Sequence, residues 1–300
     1  MGPMSTLAVV GLGAMGSRIG RRLLAADHQV VVWNRDPAKT VPLQELGAVR
    51  AGTPAAAAGR ADAVIIMVSD PEALREVTEG PSGISSGATP STTVIQMSTV
   101  GPSDVTRLAS VLPEGAGLLD APVLGSLAEV EAGALRIFVG GSKQLVDRWT
   151  AVLSALGSVV HTGPLGAGTA AKLVANSTLF GTIAILGEAL GLAQALGLPR
   201  DAAFDVLAAT PLATQAERRR VGIESGRYPR RFGLSLARKD MDLILGAAGD
   251  LRLAEAARSW LRQAEAAGLG GEDYSAVLGL ILARLQPGAG ARRSGDGATR

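Results

Sequence analysis

The stretch Leu7-Ala-Val-Val-Gly-Leu-Gly-Ala-Met-Gly16 decides how the N-terminal half of the chain folds. An apolar run typical of a buried strand leads directly into three glycines, and apolar residues at helical spacing follow over residues 17–26. A second apolar run, Val30-Val-Val-Trp33, completes the pattern. Strand, glycine turn, helix and strand form the unit in which a G-x-G-x-x-G sequence receives a pyrophosphate at a helix N-terminus. The stretch therefore predicts a dinucleotide-binding turn over residues 11–16.

The residues that end the second strand indicate which dinucleotide is bound. An acidic side chain there would accept a hydrogen bond from a free ribose 2′-hydroxyl and would repel a 2′-phosphate. This chain has the neutral Asn34 followed by Arg35, whose guanidinium can pair with a phosphate. The sequence therefore favours NADP(H) over NAD(H), with the alternative that Arg35 simply points to solvent.

Further apolar runs predict a parallel sheet whose strand ends carry polar residues. Strands are predicted at residues 63–68, 93–97, 117–120, 136–139 and 158–161. In open α/β sheets, ligands bind at the carboxyl ends of the strands, where Ser69, Ser98, Thr99 and the segment after Asp120 fall. We therefore expect the cofactor to contact the glycine turn and the neighbouring strand ends, namely Gly11, Leu12, Gly13, Ala14, Met15, Gly16, Asn34, Arg35, Met67, Val68, Ser69 and Thr99.

The pattern changes to helical periodicity after Gly163-Pro164 and continues to about Leu285 without a convincing strand. The fold class predicted is an α/β domain over residues 1–163 followed by an all-α domain over residues 164–286. The last segment, residues 287–300, is rich in Gly, Ala, Ser and Arg without periodicity, and we predict that it is disordered.

Lys172 and Asn176 are polar residues in an otherwise apolar helical segment, and their presence there calls for an explanation. They stand four residues apart in Gly166-Ala-Gly-Thr-Ala-Ala-Lys-Leu-Val-Ala-Asn176, so a helix places both side chains on one face. In one interpretation, Lys172 extends to water and Asn176 bonds to a neighbouring backbone group. In the other, Lys172 is partly buried, and burial lowers the pKa of a lysine toward the range of proton-transfer chemistry.

The composition excludes several classes of function. Without cysteine the chain has no disulfide, no catalytic thiol and no cysteine-ligated zinc, and its only histidines are His28 and His161, so we predict no metal site. Its 29 basic and 27 acidic residues nearly balance, and its 3% aromatic content argues against stacking on bases. We therefore expect a small-molecule substrate and no nucleic acid partner.

The apolar segment over residues 179–198 is long enough to be considered as a membrane span. It contains Glu188 and Gln194, and a buried helix explains it better than a transmembrane helix. The N-terminus lacks the charged region and apolar run of a signal peptide. We expect no membrane association and a cytoplasmic location. Because so apolar a helical half is unsuited to a free surface, we also expect a homodimer or a dimer of dimers.

Four motifs in order carry a family resemblance: the glycine turn, Asp120-Ala-Pro-Val123, the Gly166 to Asn176 segment and Lys239-Asp240. Over about residues 7–285 the chain resembles the β-hydroxyacid dehydrogenases, such as 3-hydroxyisobutyrate dehydrogenase and the succinic semialdehyde and glyoxylate reductases. The resemblance implies a Rossmann domain, a long interdomain helix and a helical domain that dimerises. It also implies hydride transfer between the nicotinamide and a small hydroxyacid or semialdehyde.

The resemblance assigns roles to individual residues. Lys172 matches the catalytic general acid and base, Asn176 matches an amide that orients the substrate, and Lys239 matches a lysine near the substrate and nicotinamide. The substrate-binding positions implied are Ser98, Val123, Leu124, Gly125, Ser126, Lys172 and Asn176.

One position departs from the family pattern. Where the family has serine after Asp-Ala-Pro-Val, this chain has Leu124, which cannot pair with a buried carboxylate oxygen, and Ser126 stands two residues further on. A larger or less polar substrate is therefore an alternative, as is an imine reductase, although those enzymes have aspartate or tyrosine in place of Lys172. A second alternative is a non-catalytic nucleotide-binding dimer, against which the retained Lys172 argues.

Overall fold

A computed structural model describes residues 4–286, and among these residues nine strands form one sheet. The strands are β1 Thr6–Val10, β2 Gln29–Trp33, β3 Val49–Arg50, β4 Ala63–Ile66, β5 Thr93–Gln96, β6 Gly117–Asp120, β7 Val123–Leu124, β8 Leu135–Gly140 and β9 Gly157–Gly163.

Helices alternate with the strands and then continue alone. Between the strands lie α1 Ala14–Ala25, α2 Val41–Gln44, α3 Pro54–Ala58, α4 Pro71–Thr78, α5 Ile84–Gly87, α6 Pro102–Val111, α7 Leu127–Ala132 and α8 Lys143–Ser154. After the last strand come α9 Ala167–Ala195, α10 Arg200–Ala208, α11 Ala213–Ser225, α12 Leu234–Ala247, α13 Arg252–Ala266 and α14 Val277–Arg284.

The strand order is β3-β2-β1-β4-β5-β6-β8-β7, with β9 paired to β8. Neighbours from β3 to β6 are parallel, β8 is antiparallel to β6 and β7, and β9 is parallel to β8. This is the doubly wound order, which reverses direction between β1 and β4 at the point where such folds bind ligands. The predicted fold class, a Rossmann-type sheet followed by a helical region, is confirmed.

The sheet is buried on both faces, which explains why its strands are uninterrupted apolar runs. Alternate residues of β1 show this, because Leu7 and Val9 join one buried cluster and Ala8 and Val10 join another. Helices must therefore cover both faces of the sheet, as parallel sheets require.

The chain divides into two compact units, residues 1–175 and residues 176–300. The division lies inside α9, because the first turn of α9 packs against strands of the first unit. The boundary at residue 163 stays a prediction. The described part of the second unit contains helices and one isolated bridge between Gly233 and Asp273. Its core includes Phe180, whose ring lies 5.4 Å from that of Tyr274.

Several boundaries differ from the sequence prediction. The first helix begins at Ala14 rather than near residue 17, because the glycine turn passes directly into it. The strand predicted to reach residue 68 ends at Ile66. The two-residue strands β3 and β7 were not predicted, since so short a run carries no periodicity. The tail predicted to be disordered, residues 287–300, lies outside the described residues.

Within residues 4–286, one helix, α9, is long and apolar enough by length and composition to cross a membrane. The core helix of a soluble protein passes the same test, and Phe180, Ile183 and Leu186 of α9 are buried inside the molecule.

Candidate active site

The glycine turn between β1 and α1 is built by close backbone approaches. A β-carbon at Gly11 would lie 2.3 Å from the carbonyl oxygen of Met67, and Gly11 has a φ of +96°. A β-carbon at Gly16 would lie 1.9 Å from the carbonyl oxygen of Gly11. Only glycine therefore lets α1 begin directly above the ends of β1 and β4.

The start of α1 fits a phosphate. Gly13 is the N-cap residue and offers no side-chain cap, and the first turn contains no acidic residue. A β-carbon at Gly13 would meet no atom within 4 Å, so the space in front of the helix is open. The first-turn N–H groups lack a side-chain acceptor there, and a helix N-terminus in this state suits the pyrophosphate of a dinucleotide.

Asn34 fixes the glycine turn to the end of β2. Its Oδ1 accepts a hydrogen bond from the backbone N–H of Leu12 at 2.9 Å, and its Nδ2 donates to the carbonyl oxygen of Asp36 at 2.9 Å. Arg35, the next residue, has a side chain that is 83% exposed and lies 3.3 Å from Glu76 of α4. The two residues directly after β2 are thus a neutral amide and an accessible cation.

The polar residues at the ends of β4 and β5 are bonded within the protein. The hydroxyl of Ser98, which is buried, accepts from the N–H of Val68 at 2.8 Å. Ser69 is exposed and donates its hydroxyl to Asp70, whose carboxylate caps α4 by accepting from Ala73 N–H at 2.8 Å. The hydroxyl of Ser98 therefore joins the two strand ends, and its predicted role toward substrate stays a prediction, as does the cofactor role of half-buried Thr99.

The segment after Asp120 forms a short strand and a helix cap. Val123 and Leu124 make up β7, with Leu124 opposite Arg136 of β8, and Gly125 follows with a φ of +144°. Ser126 is the N-cap of α7, and both its N–H and its hydroxyl bond to Glu129. The capping box Ser-x-x-Glu was visible in the sequence, and it occupies the hydroxyl that was considered as a replacement for the family serine.

Lys172 lies in the second turn of α9 and is 7% exposed. The interpretation in which its side chain extends freely into water does not fit that burial. A buried ammonium is costly unless charged or polar groups receive it, so burial of this kind is typical of a lysine that is retained for chemistry.

In the second unit, Asn176 is 1% exposed and bonds to a carboxylate that was missing from the predicted site residues. Its Nδ2 donates to Oδ2 of Asp240 at 2.7 Å, and the other oxygen of Asp240 lies 2.8 Å from Nζ of Lys239. Oδ1 of Asn176 has no hydrogen-bond partner among the described residues. Asp240 is fully buried in α12, and its signal in the sequence was a short charged run, Arg238-Lys-Asp-Met-Asp242, inside a helix whose other residues are mostly apolar.

Two family models match the chain. The NAD-binding domain of 6-phosphogluconate dehydrogenase matches residues 6–163, and the NAD-binding domain of NADP-dependent 3-hydroxyisobutyrate dehydrogenase matches residues 166–281. The chain is 34% identical over 285 residues to 3-sulfolactaldehyde reductase of Escherichia coli, covering 92% of this chain and 95% of that protein.

Solved structures agree with these matches. The structure of Mycobacterium tuberculosis 3-hydroxyisobutyrate dehydrogenase with L-serine superimposes with a TM-score of 0.84 and 28% identity, covering 93% of this chain and 99% of that one. An imine reductase variant from Myxococcus stipitatus shares the fold, with a TM-score of 0.64 and 22% identity over 94% of this chain and 100% of that one. With its NAD(P)-binding domains, the chain belongs to the β-hydroxyacid dehydrogenase family of oxidoreductases.

Proposed function

We propose that this protein is an NADP(H)-dependent oxidoreductase that transfers hydride between the nicotinamide and a small hydroxyacid or semialdehyde, with Lys172 as general acid and base. The observation that carries the proposal is the burial of Lys172, which is 7% exposed in a helix that also carries Asn176 one turn later. The nicotinamide, when bound, supplies the hydride, and the protein supplies position, charge and a proton.

The proton is the contribution of Lys172. In the reductive direction its ammonium gives a proton from Nζ to the oxygen of the substrate carbonyl as charge develops there, and in the oxidative direction the neutral amine takes it back. Asp240 orients the amide of Asn176 by accepting from Nδ2, which leaves Oδ1 to accept from the substrate hydroxyl. Lys239 is held by the same carboxylate and balances its charge.

The preference for NADP(H) rests on Arg35 and on the absence of an acid beside it at residue 34. An exposed guanidinium can pair with a 2′-phosphate in a bidentate manner. Asn34 supports the site indirectly, because its amide bonds to the glycine turn. The glycine turn itself, from Gly11 to Gly16, receives the pyrophosphate in this proposal.

The substrate is proposed to be an aldehyde or hydroxyacid whose polar end receives no hydrogen bond from the side chain of residue 124. Leu124 stands where a serine would bond to a carboxylate, and Ser126 gives its hydroxyl to Glu129. The relative from Escherichia coli is a reductase of 3-sulfolactaldehyde, so small aldehydes with an anionic group are the first class to test. A less polar carbonyl or a cyclic imine is the second candidate, and Leu124 is the observation that favours it.

We further propose that the protein is a soluble, cytoplasmic homodimer or dimer of dimers that associates through α9. Ile185 is 43% exposed and Leu192 is 60% exposed, which is unusual for residues of this size on a core helix. They lie on one face of α9 together with Thr178, Gly181 and Glu188, and the spacing of these five residues, three and four apart, is that of a helix seam. We call this face, residues 178, 181, 185, 188 and 192, the stripe. Gly181 leaves the stripe open enough for a second helix to approach, since a β-carbon there would meet nothing within 4 Å.

A spectrophotometric screen tests the proposed function. Oxidation of NADPH is followed with glyoxylate, succinic semialdehyde and an anionic sulfonated aldehyde, and in parallel with uncharged aldehydes and cyclic imines. Turnover of a semialdehyde or an uncharged aldehyde supports carbonyl reduction. Which of the two, anionic or uncharged aldehydes, is reduced faster shows whether Leu124 disfavours a charged substrate. Turnover of the cyclic imines alone would reject the proposal that the protein reduces carbonyl substrates.

A further inference from the structure

Asp120 ends β6 with a carboxylate that is fully buried and that reaches the start of α9. One oxygen, Oδ1, accepts from the backbone N–H of Gly166 at 2.8 Å, and the other, Oδ2, accepts from the N–H of Thr169 at 2.6 Å. Both oxygens of the carboxylate thus bond to one helix end, 46 and 49 residues further along the chain.

This carboxylate takes the place of a missing N-cap side chain. Gly166 occupies the N-cap position, because its carbonyl oxygen accepts the first helical bond from Ala170 N–H at 3.0 Å. In a usual capping box the N-cap side chain accepts from the third helical residue, and that residue's side chain accepts from the N-cap N–H. Glycine cannot provide the first bond, and Asp120 provides both. Its negative charge also lies at the positive end of the helix dipole.

The same helix end is packed against the sheet without a gap. A β-carbon at Gly168 would lie 2.3 Å from the carbonyl oxygen of Asp120 and 2.6 Å from that of Phe138. The first turn of α9 therefore rests directly on the backbones of β6 and β8. The two hydrogen bonds that Asp120 accepts and this backbone contact together fix both the position and the rotation of the helix start.

Lys172 follows this fixed turn immediately. It stands three residues after Thr169, about 4.5 Å along the helix axis at 1.5 Å per residue, and on the same face. A rotation or shift of the first turn therefore moves Lys172 by nearly the same amount, because the helical hydrogen bonds keep the backbone rigid between Thr169 and Lys172. Geometry at a proton donor matters strongly, since a misplacement of about 1 Å can cost about 100-fold in rate.

We propose that Asp120 is a positioning residue that sets the place of the Lys172 side chain through the first turn of α9. The inference rests on the proposed role of Lys172 as proton donor. Asp120 itself touches neither substrate nor cofactor in this proposal, and its effect on the reaction passes through the helix.

The test compares Asp120→Asn with a matched control, Asp104→Asn. Asp104 is also buried, and its Oδ2 accepts from the N–H of Gly101, the glycine N-cap of α6. An asparagine at 120 keeps the size but turns one acceptor into a donor facing a backbone N–H. We expect Asp120→Asn to lower kcat by about 10- to 100-fold, with the KM for NADPH within about twofold of wild type, and Asp104→Asn to keep kcat.

A second readout needs no turnover. The chain has four lysines, at residues 39, 143, 172 and 239, so lysine labelled with ¹³C at Cε gives a small set of NMR signals. Lys→Arg variants at the other three positions and Lys172→Met assign them. We expect Asp120→Asn to shift the Lys172 signal while the signals of Lys39 and Lys143 stay in place, and Asp104→Asn to shift none of these.

The outcomes separate the two proposals. If no aldehyde is reduced but the Lys172 signal moves only in Asp120→Asn, the proposed function fails and the positioning role stands. If the signal and kcat both stay at wild-type values in Asp120→Asn, or if Asp104→Asn changes them equally, the positioning role is refuted. Should Asp120→Asn fail to fold by circular dichroism, Gly168→Ala, which keeps the carboxylate and displaces the turn, must move the same signal or the inference is wrong.

Discussion

Arg35 is the residue on which the proposed preference for NADP(H) depends most. Its side chain is 83% exposed, and its guanidinium pairs with Glu76 at 3.3 Å. An ion pair this exposed contributes roughly 0–1 kcal/mol and is easily exchanged for a stronger partner such as a phosphate. The carboxylate of Glu76 is also a negative charge near the position proposed for the 2′-phosphate.

The cofactor preference follows from these charges. Arg35→Asp removes the attraction to a 2′-phosphate and adds repulsion, so we expect the ratio of kcat/KM for NADPH over NADH to fall by about 10- to 100-fold, which is about 1.4–2.8 kcal/mol. Glu76→Gln removes only the competing charge and should raise that ratio. Steady-state kinetics with both cofactors measure it, and a wild-type enzyme that prefers NADH would contradict the assignment.

At the scale of secondary-structure elements, the parts of the fold that follow local rules were predictable. The strand, glycine turn and helix at the N-terminus were found because glycine spacing and apolar runs are local signals. The strands β3 and β7 were not, because two residues become a strand only through a neighbour's hydrogen bonds. The hydrogen bond that Asn176 donates to Asp240 joins residues 64 positions apart, and the bonds that Asp120 accepts from the start of α9 span 46 and 49 positions. No local pattern reveals contacts of this kind.

The junction of β6 and α9 predicts a pH dependence of stability. Burial raises the pKa of Asp120, and the hydrogen bonds from Thr169 and Gly166 offset this only in part. A raised folded-state pKa means that the folded protein binds the proton more tightly than the unfolded chain. The stabilising effect of protonation is therefore complete below the ordinary aspartate pKa of about 4 and is lost as pH rises through the folded-state value.

The measurement compares chemical denaturation of wild type and Asp120→Asn across pH. Because asparagine does not titrate, the free energy of unfolding of wild type minus that of the variant should decrease as pH rises from about 4 and then level off. A difference that increases with pH would show that the hydrogen bonds outweigh burial and that the pKa of Asp120 is lowered in the folded protein.

On the scale of the whole molecule, the stripe of α9, with its exposed Ile185 and Leu192, predicts assembly. Light scattering at micromolar concentration should give two or four times the chain mass of 30.4 kDa. Ile185→Glu places a charge in the stripe at a residue that is already 43% exposed, so it should yield monomer without unfolding the chain. The control is Val221→Glu in α11, at a residue that is 75% exposed and lies off the stripe. A wild-type monomer, or equal effects of both variants, would contradict the proposed interface.

The central claim is that Lys172 supplies the proton in the reaction, and Lys172→Met tests it most directly. Methionine keeps the length and the apolar stem of the side chain and removes the charge and the proton. With the best substrate from the screen, we expect kcat to fall by about 10²- to 10⁴-fold. Binding of NADPH, measured by fluorescence titration, should stay near the wild-type value, because the glycine turn and Arg35 are untouched. Near-full turnover by a folded Lys172→Met enzyme would contradict the role of Lys172 as proton donor.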